Sequence, residues 1–420
     1  MRARSLIVLA ALFAAAPAAA QVAGPNARAA GMGFAYGAVA RGFAAGFWNP
    51  ANLGQPGNPG FTLGLPNIAV DYASDPIPFS EFKEYEGEFI DSAVKSDWLQ
   101  RIGPDGSLVM HGRGDIGEIG ISVGPVALTL GTVGSMQADL PHDAVEVLLF
   151  GNAGEDGNGT DTLGFTDGQF TSWAASRAGA SIGLSFGRLS VGITGKYVVG
   201  HGIVAGRDGE ARLTADTTTI RFPVIILVDE DNPIQADGYG VDLGAAWRSE
   251  SGKLRLSFAA YDVTNTFKFD PTKGRATTGT AYISVDSAAS DFEDVDLADA
   301  SDSVQAAARR IADEAVFLPS YRFAAAYKPN GRITIAADAL IRTGDELSLQ
   351  GGLGNEYSLG AELRFIPLIP IRGGIHTQDD GMGFNAGAGL DLGFLKVDGA
   401  VGKRANGGYA YAVGVTLIGQ

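Results

Sequence analysis

Few residues in this chain are placed for covalent chemistry. The run Gly31 to Gly37, with glycines at 31, 33 and 37, has the density of a phosphate-cradling loop. It lacks the Gly-Lys-Ser/Thr ending and no strand pattern precedes it, so nucleotide binding is not expected. The four histidines, His111, His142, His201 and His376, are scattered and show no metal-ligand spacing. There is no Gly-x-Ser-x-Gly elbow, and spacing alone does not assemble a Ser/His/Asp triad. Asp156 to Asp161 alternates oxygen ligands as calcium loops do, but no distal bidentate Glu follows, so a polar external turn is the reading. Asp291, Glu293, Asp294, Asp296 and Asp299 form an acidic cluster that reads as solvated external surface. The expectation is a protein with no catalytic residues, no cofactor and no metal, and not an enzyme.

Composition narrows the class. Cysteine is absent, which excludes disulfides, thiol catalysis and Cys-zinc sites. A net charge of -16 argues against a nucleic-acid partner. Hydrophobic residues make up 45% of the 420, so a large buried or lipid-facing surface is available. Arg2 and Arg4, the apolar run Leu6 to Ala16 and the small residues Ala18 to Ala20 before Gln21 have the three-part layout of a secretory signal peptide over 1–20. No later run has the roughly 18 apolar residues of a spanning helix.

The remainder alternates. Tyr239, Val241, Leu243, Ala245 and Trp247 share one face, and Gly240, Asp242, Gly244 and Ala246 the other. Tyr357, Leu359, Ala361, Leu363 and Phe365 alternate with Glu356, Ser358, Gly360, Glu362 and Arg364, and the same pattern recurs over 333–341 and 409–417. Period two with one apolar face is a half-buried strand. A soluble sandwich turns that face inward; an outer-membrane barrel turns it to lipid and keeps a polar lumen. Tyr239 and Trp247, like Tyr357 and Phe365, are eight residues apart on one face, roughly 26 Å at strand rise. Tilted by about 40°, that is close to the height of the apolar band between two aromatic girdles. On the barrel reading, Asp242, Asp338, Glu362, Arg364, Lys396 and Asp398 line the lumen, where they pair and are solvated.

Connections favour the barrel. Fourteen candidate strands cover 59–72, 115–124, 125–135, 172–187, 188–200, 236–248, 253–264, 319–328, 331–341, 356–366, 369–377, 382–391, 394–402 and 408–418. Most links alternate between short turns and long loops, as in barrels with short periplasmic turns, which puts both termini in the periplasm. The alternation fades at the C-terminal end. The long links hold helix-like pieces at 79–99, 143–150 and 302–315, and 210–222 reads as extra strands or a hairpin within a loop.

A resemblance enters at the mature N-terminus. Ala27 to Ala40, followed by Phe47 to Gly54, resembles the N-terminal segment of long-chain fatty-acid transporter (FadL-like) outer-membrane proteins, with Asn52 where Gly is common. Ile102 to Leu108, Leu140 to Asn152, Gly195 to Gly200 and Leu318 to Asn330 are similar to an uncharacterised family of predicted FadL-like barrels. The resemblance implies a 14-stranded barrel with an N-terminal plug over 21–58 ahead of a barrel over 59–420. In the fatty-acid transporters that segment plugs the lumen and hydrophobic ligand passes beside it. Carried over, Gly31, Gly33, Trp48, Asn49, Pro50 and Asn52 belong to the plug, in a packing role or against ligand.

The expected protein is therefore a monomeric outer-membrane channel for passive uptake of a small hydrophobic compound. Its partners would be outer-membrane lipid, the hydrophobic ligand and the barrel assembly machinery. A non-transport scaffold or secretion partner that carries surface proteins, and a soluble secreted β-protein, stand as alternatives.

Overall fold

The protein is seen in a computed structural model that describes residues 26–151, 154–155, 163–164, 168–207, 212–214, 217–220, 224–228, 236–284, 288–343, 349, 354–378, 381–404 and 407–419. The expected signal peptide 1–20 and the Asp156 to Asp161 turn lie outside the described residues.

Fourteen antiparallel strands close into one barrel. They are β1 Phe61–Asp75, β2 Ser107–Val123, β3 Val126–Pro141, β4 Gln169–Phe186, β5 Leu189–Arg207, β6 Ala236–Arg248 and β7 Leu254–Asn265. The second half holds β8 Ser320–Asn330, β9 Ile333–Arg342, β10 Glu356–Ile366, β11 Ile369–Gln378, β12 Gly381–Asp391, β13 Leu395–Arg404 and β14 Tyr409–Gly419. Each pairs with its neighbours in sequence, and β1 also pairs with β14, Phe61 opposite Gly419. Closure leaves no unpaired edge, the condition for crossing lipid with strands. No helix among the described residues is long and apolar enough to cross a membrane.

The two faces separate as the alternation predicts. Leu359, Ile335 and Val413 are 49%, 43% and 50% exposed, whereas Ser358, next to Leu359, is 6% exposed and faces inward. Strands β2 to β5 run further than the pattern indicates: β2 begins at Ser107 rather than 115 and β5 ends at Arg207 rather than 200. Their extra residues lie at the long-loop end and include Arg113, Gln137 and His201. Polar residues there break the apolar alternation that marks a lipid-facing strand.

Strand β1 departs from both neighbours beside Pro66. Its pairing with β14 jumps from Gly64–Thr416 to Ile68–Val413, and its pairing with β2 from Gly64–Gly120 to Asn67–Glu118. Proline has no N–H for the ladder, so its place is at such an irregularity.

Long connections fold at one end of the barrel. The stretch expected as one helix over 79–99 is two, Phe79–Glu84 and Ser92–Ile102, with Gly87 at φ 80° between them. Their apolar sides bury Trp98, Leu99 and Ile102 against Val145 of the helix His142–Phe150. A third outer element, the helix Asp302–Glu314, buries Ala308 and Ala312 among Ile203, Ile225, Leu227 and Phe269. The 210–222 stretch holds the strands Arg212–Thr214 and Thr217–Ile220 of a small five-stranded sheet.

The outer helices carry a pH-dependent contact. Trp98 Nε1 donates to Glu81 Oε2 at 3.0 Å, and both terminal nitrogens of Arg101 donate to the same carboxylate. The hydrogen bonds from Arg101 hold the Glu81 carboxyl below its ordinary range. A depressed carboxylate stabilises above its unfolded pKa, and that contribution is lost as pH falls through the folded value. Lowering pH from about 6 to 3, across the ordinary glutamate range, is expected to change tryptophan fluorescence. Glu81→Gln is expected to remove that transition; an unchanged titration in the variant would show that Glu81 does not set it.

Candidate functional site: the lumen and its N-terminal segment

The N-terminal segment lies inside the barrel. It forms α1 Ala27–Gly31, α2 Phe43–Trp48 and a 3-10 turn Pro50–Gly54, and nearly every side chain in it is buried. Its composition explains how it fits. Alanine and glycine give a thin chain, and the wall opposite it is also thinned by glycine. A Cβ on Gly360 would lie 2.1 Å from Met32 O, and one on Gly244 would lie 2.2 Å from Asn49 Oδ1. Gly33, at φ +59°, sits against the backbone of Ile375 in a conformation that L side chains rarely adopt. Asn26 caps α1 by accepting from Arg28 N at 2.9 Å.

Polar anchors fix the segment to three parts of the wall. Glu362 of β10 accepts from Arg28 Nε at 2.7 Å and Nη2 at 2.8 Å, and also from Arg372 Nε at 2.8 Å and Arg364 Nε at 2.9 Å. Burial alone would lower the Arg28 pKa, but the Glu362 carboxylate outweighs it and raises the value. Asp338 of β9 accepts from the backbone N–H of Gly37 at 2.8 Å and Tyr36 at 3.2 Å, and from Arg322 Nη1 at 3.1 Å. Asn49 Nδ2 donates to Ala245 O at 3.1 Å and Phe258 O at 3.0 Å, while its Oδ1 accepts from Ala51 N. That side chain meets carbonyls of both β6 and β7 and shapes the Pro50 turn as well. Asn52 stays within the segment, donating from Nδ2 to Gly37 O at 2.7 Å.

Trp48 is the largest apolar anchor. Its ring lies 4.7 Å below the Arg322 guanidinium and packs edge-on against Tyr36. Tyr261 Oη donates to the Trp48 carbonyl at 2.5 Å.

The six inward charges thus divide by what they touch. Asp338 and Glu362 hold the segment directly. Arg364 and Asp398 support them, Arg364 through Glu362 and Asp398 through Arg372 Nη1 at 2.7 Å. Lys396 joins the edge of the same network, sharing Asp391 with Arg364 at 3.1 Å and 2.8 Å, and Asp242 stands apart with Lys196 at 2.7 Å. Residue alternation missed Arg28, Arg322, Arg372 and Tyr261 as anchors. Arg322 carried a usable signal, since it alternates with the outward Tyr321 and Phe323; Arg28 carried none, because the segment has no strand period.

Sequence spacing also missed one juxtaposition. Side-chain ligand atoms of His142, Asp143 and Glu146 lie within 4.8 Å of one another on the first turn of their helix. A helix N-terminus is the positive end of its dipole and works against a cation there. Beside it a cleft of about 530 Å³ is lined by Ser96, Asp97, Leu99, Gln100, His142 and Glu155, a largely polar set.

Solved structures share this architecture. The Ralstonia pickettii toluene transporter TbuX aligns at a TM-score of 0.50 and 14% identity, covering 95% of this chain and 100% of that one. The Pseudomonas putida toluene transporter TodX aligns at 0.53 and 12% identity, covering 94% and 98%. A Pseudomonas aeruginosa FadL homologue aligns at 0.51 and 11% identity, covering 96% and 100%. The fold is that of the FadL-type outer-membrane barrels. No protein-family model and no curated protein matches the sequence.

Within this FadL-type barrel a second buried group sits beneath α2. Arg177 of β4 lies 5.4 Å from the Phe47 ring, and its Nη2 is 3.8 Å from Asp115 Oδ2 and 3.7 Å from Glu118 Oε1. Two carboxylates and one guanidinium therefore face the segment on the β2–β4 side, opposite the Glu362 cluster. The alternation of β2 hid Glu118, because the register of β2 against β3 shifts between Ile116 and Ile119.

Proposed function

We propose that the protein is an outer-membrane channel for passive uptake of a small hydrophobic compound, with residues 21–58, described from 26 onward, as its plug and both termini periplasmic. The observation that carries this reading is an apolar patch at the long-loop end. Phe89 is 87% exposed and Leu148 71%, on elements that Lys95 ties together by facing the Phe89 ring and donating from Nζ to Leu149 O at 2.6 Å. Large apolar side chains exposed on linked elements at the outer end can receive a hydrophobic ligand. Beneath them stands a lumen whose occupant is held by hydrogen bonds and ion pairs rather than by covalent or ladder bonds. Such an occupant can shift without unfolding the wall.

Two of the aligned structures are named as toluene transporters and a third as a monoaromatic hydrocarbon channel. Those names motivate the probes. Cells lacking their own uptake channel are expected to take up labelled toluene or oleate faster, and saturably, when they make this protein. Phe89→Asp with Leu148→Asp is expected to reduce that uptake several-fold while the barrel stays in the membrane. Uptake equal to that of empty-vector cells, with folded barrel present, would reject the channel and favour the scaffold role.

A further inference from the structure

The short-turn mouth of the lumen gathers four cations. Arg248 ends β6 and Arg255 opens β7, and the ladder sets them directly opposite each other. Both share the inward parity of the buried Ala246 and Ala259. Lys328 lies on the inward face of β8, two residues beyond Ala326, the ladder partner of Arg255. Arg41 comes from the N-terminal segment itself. Repulsion connects the four: Arg41 feels Arg255, Lys328 feels both, and Arg255 feels Arg248; Arg28 adds to the repulsion, and Glu362 attracts Lys328 without pairing with it.

This grouping is costly as it stands. Like charges directly opposed on a ladder destabilise it. Among the described residues no carboxylate pairs with any of the four; Glu250, in the turn between β6 and β7, pairs with Arg188 instead. The Nε atoms of Arg41, Arg248 and Arg255, and Nη2 of Arg41, are sealed from solvent without an acceptor. The Arg41 guanidinium has one hydrogen bond, from Nη1 to the carbonyl of its neighbour Ala40 at 2.5 Å. Burial, helped by Arg255, pushes its pKa down to about 9. A guanidinium escapes that penalty by gaining a counter-ion rather than by losing its proton. Its planar fork matches the paired oxygens of a carboxylate or phosphate.

We propose that Arg41, Arg248, Arg255 and Lys328 form an oxyanion-binding site at the short-turn mouth of the lumen, taking a carboxylate or a phosphate group. Arg41 belongs to the segment and the other three to the wall, so a bound oxyanion bridges the two. The group is either a free ion or the head of an amphiphile. The site stands on its own geometry, independent of the channel reading, and its test needs no flux measurement.

Full-length protein in dodecyl maltoside is titrated calorimetrically with inorganic phosphate, octanoate and octanol. At least one of the two anions is expected to bind, more weakly as salt rises, and octanol is not. Binding of phosphate alone identifies a free-ion site, octanoate alone an amphiphile head, and both a shared oxyanion cradle; each supports the proposal. Arg255→Gln is expected to weaken binding about ten-fold, and Arg248→Gln with Arg255→Gln to abolish it. Heat-modifiable migration on gels checks that each variant is folded. Where a wall variant does not fold, Arg41→Gln makes the same test from the segment. The proposal is overturned if neither anion binds, if octanol binds as well as octanoate, if binding survives in a folded double variant, or if it is undiminished in Arg41→Gln.

Discussion

Deleting residues 24–50 is expected to convert a barrel of low conductance into an open pore. The ladders that close the wall run strand to strand, and none of them includes this segment. The wall therefore keeps its hydrogen bonds when the segment is removed. Glu362 loses Arg28, Asp338 loses the Tyr36 and Gly37 N–H groups and Arg322 loses the Trp48 ring, but each gains water, since a barrel of about 14 strands holds an aqueous lumen when nothing fills it. Planar-bilayer recordings should show conductance rising by an order of magnitude or so over the full chain, the scale expected when an obstructed lumen of this width fills with water. Unchanged conductance from a deletion protein that stays heat-modifiable on gels would mean that the segment does not block the pore. The plug assignment would then fail, and with it the main structural support for gated uptake.

Leu359→Arg is expected to destabilise the barrel by roughly 1–3 kcal/mol in bilayers, the cost of a cation on the lipid face between the interface and the midplane. Leu359 faces outward within the band bounded by Tyr357 and Phe365 on the same strand. Its neighbour Ser358 points into the lumen, where its hydroxyl donates to Glu356 at 3.3 Å. Arginine at 358 meets a polar interior and is expected to cost less. Equilibrium unfolding by urea from lipid vesicles reads both variants. Should Ser358→Arg prove the more damaging, the faces are assigned the wrong way round.

The wall was legible because lipid imposes a strict rule on it. Tyr239 to Trp247 and Tyr357 to Phe365 obey period two over their whole length, so their strands could be placed to within a residue or so. At β2 the rule lapses: above Asp115 the strand leaves the lipid band, and Arg113 and His111 follow no apolar alternation. The lumen was half legible. Asp338 and Glu362 could be placed on the inward face by parity, but their partners could not, since Tyr36 is 302 residues from Asp338 and Arg28 is 334 from Glu362. Position within a segment that has neither period two nor period 3.6 depends on which wall glycines leave room. Gly244 and Gly360 meet that need only in three dimensions. The basic group at the inner mouth was hidden for the same reason, being assembled from three strand ends and one loop residue.

The seam between β1 and β14 joins the first strand of the chain to the last, and it is also where Pro66 interrupts pairing. Every other ladder among the fourteen barrel strands joins strands adjacent in the barrel order, so it can form as soon as those two strands meet. This one brings together residues separated by nearly the whole chain, and non-local pairings of that kind are slow to form. The segment is tied to the start of β1, on one lip of this seam. It must already lie within the curling sheet when the lips meet, or thread in afterwards through an end. The final zipping of the wall is thus also the moment at which the protein encloses its own N-terminus. A stalled seam would leave a half-cylinder with its interior face open to the periplasm, exposing the glycine-lined groove meant for the segment.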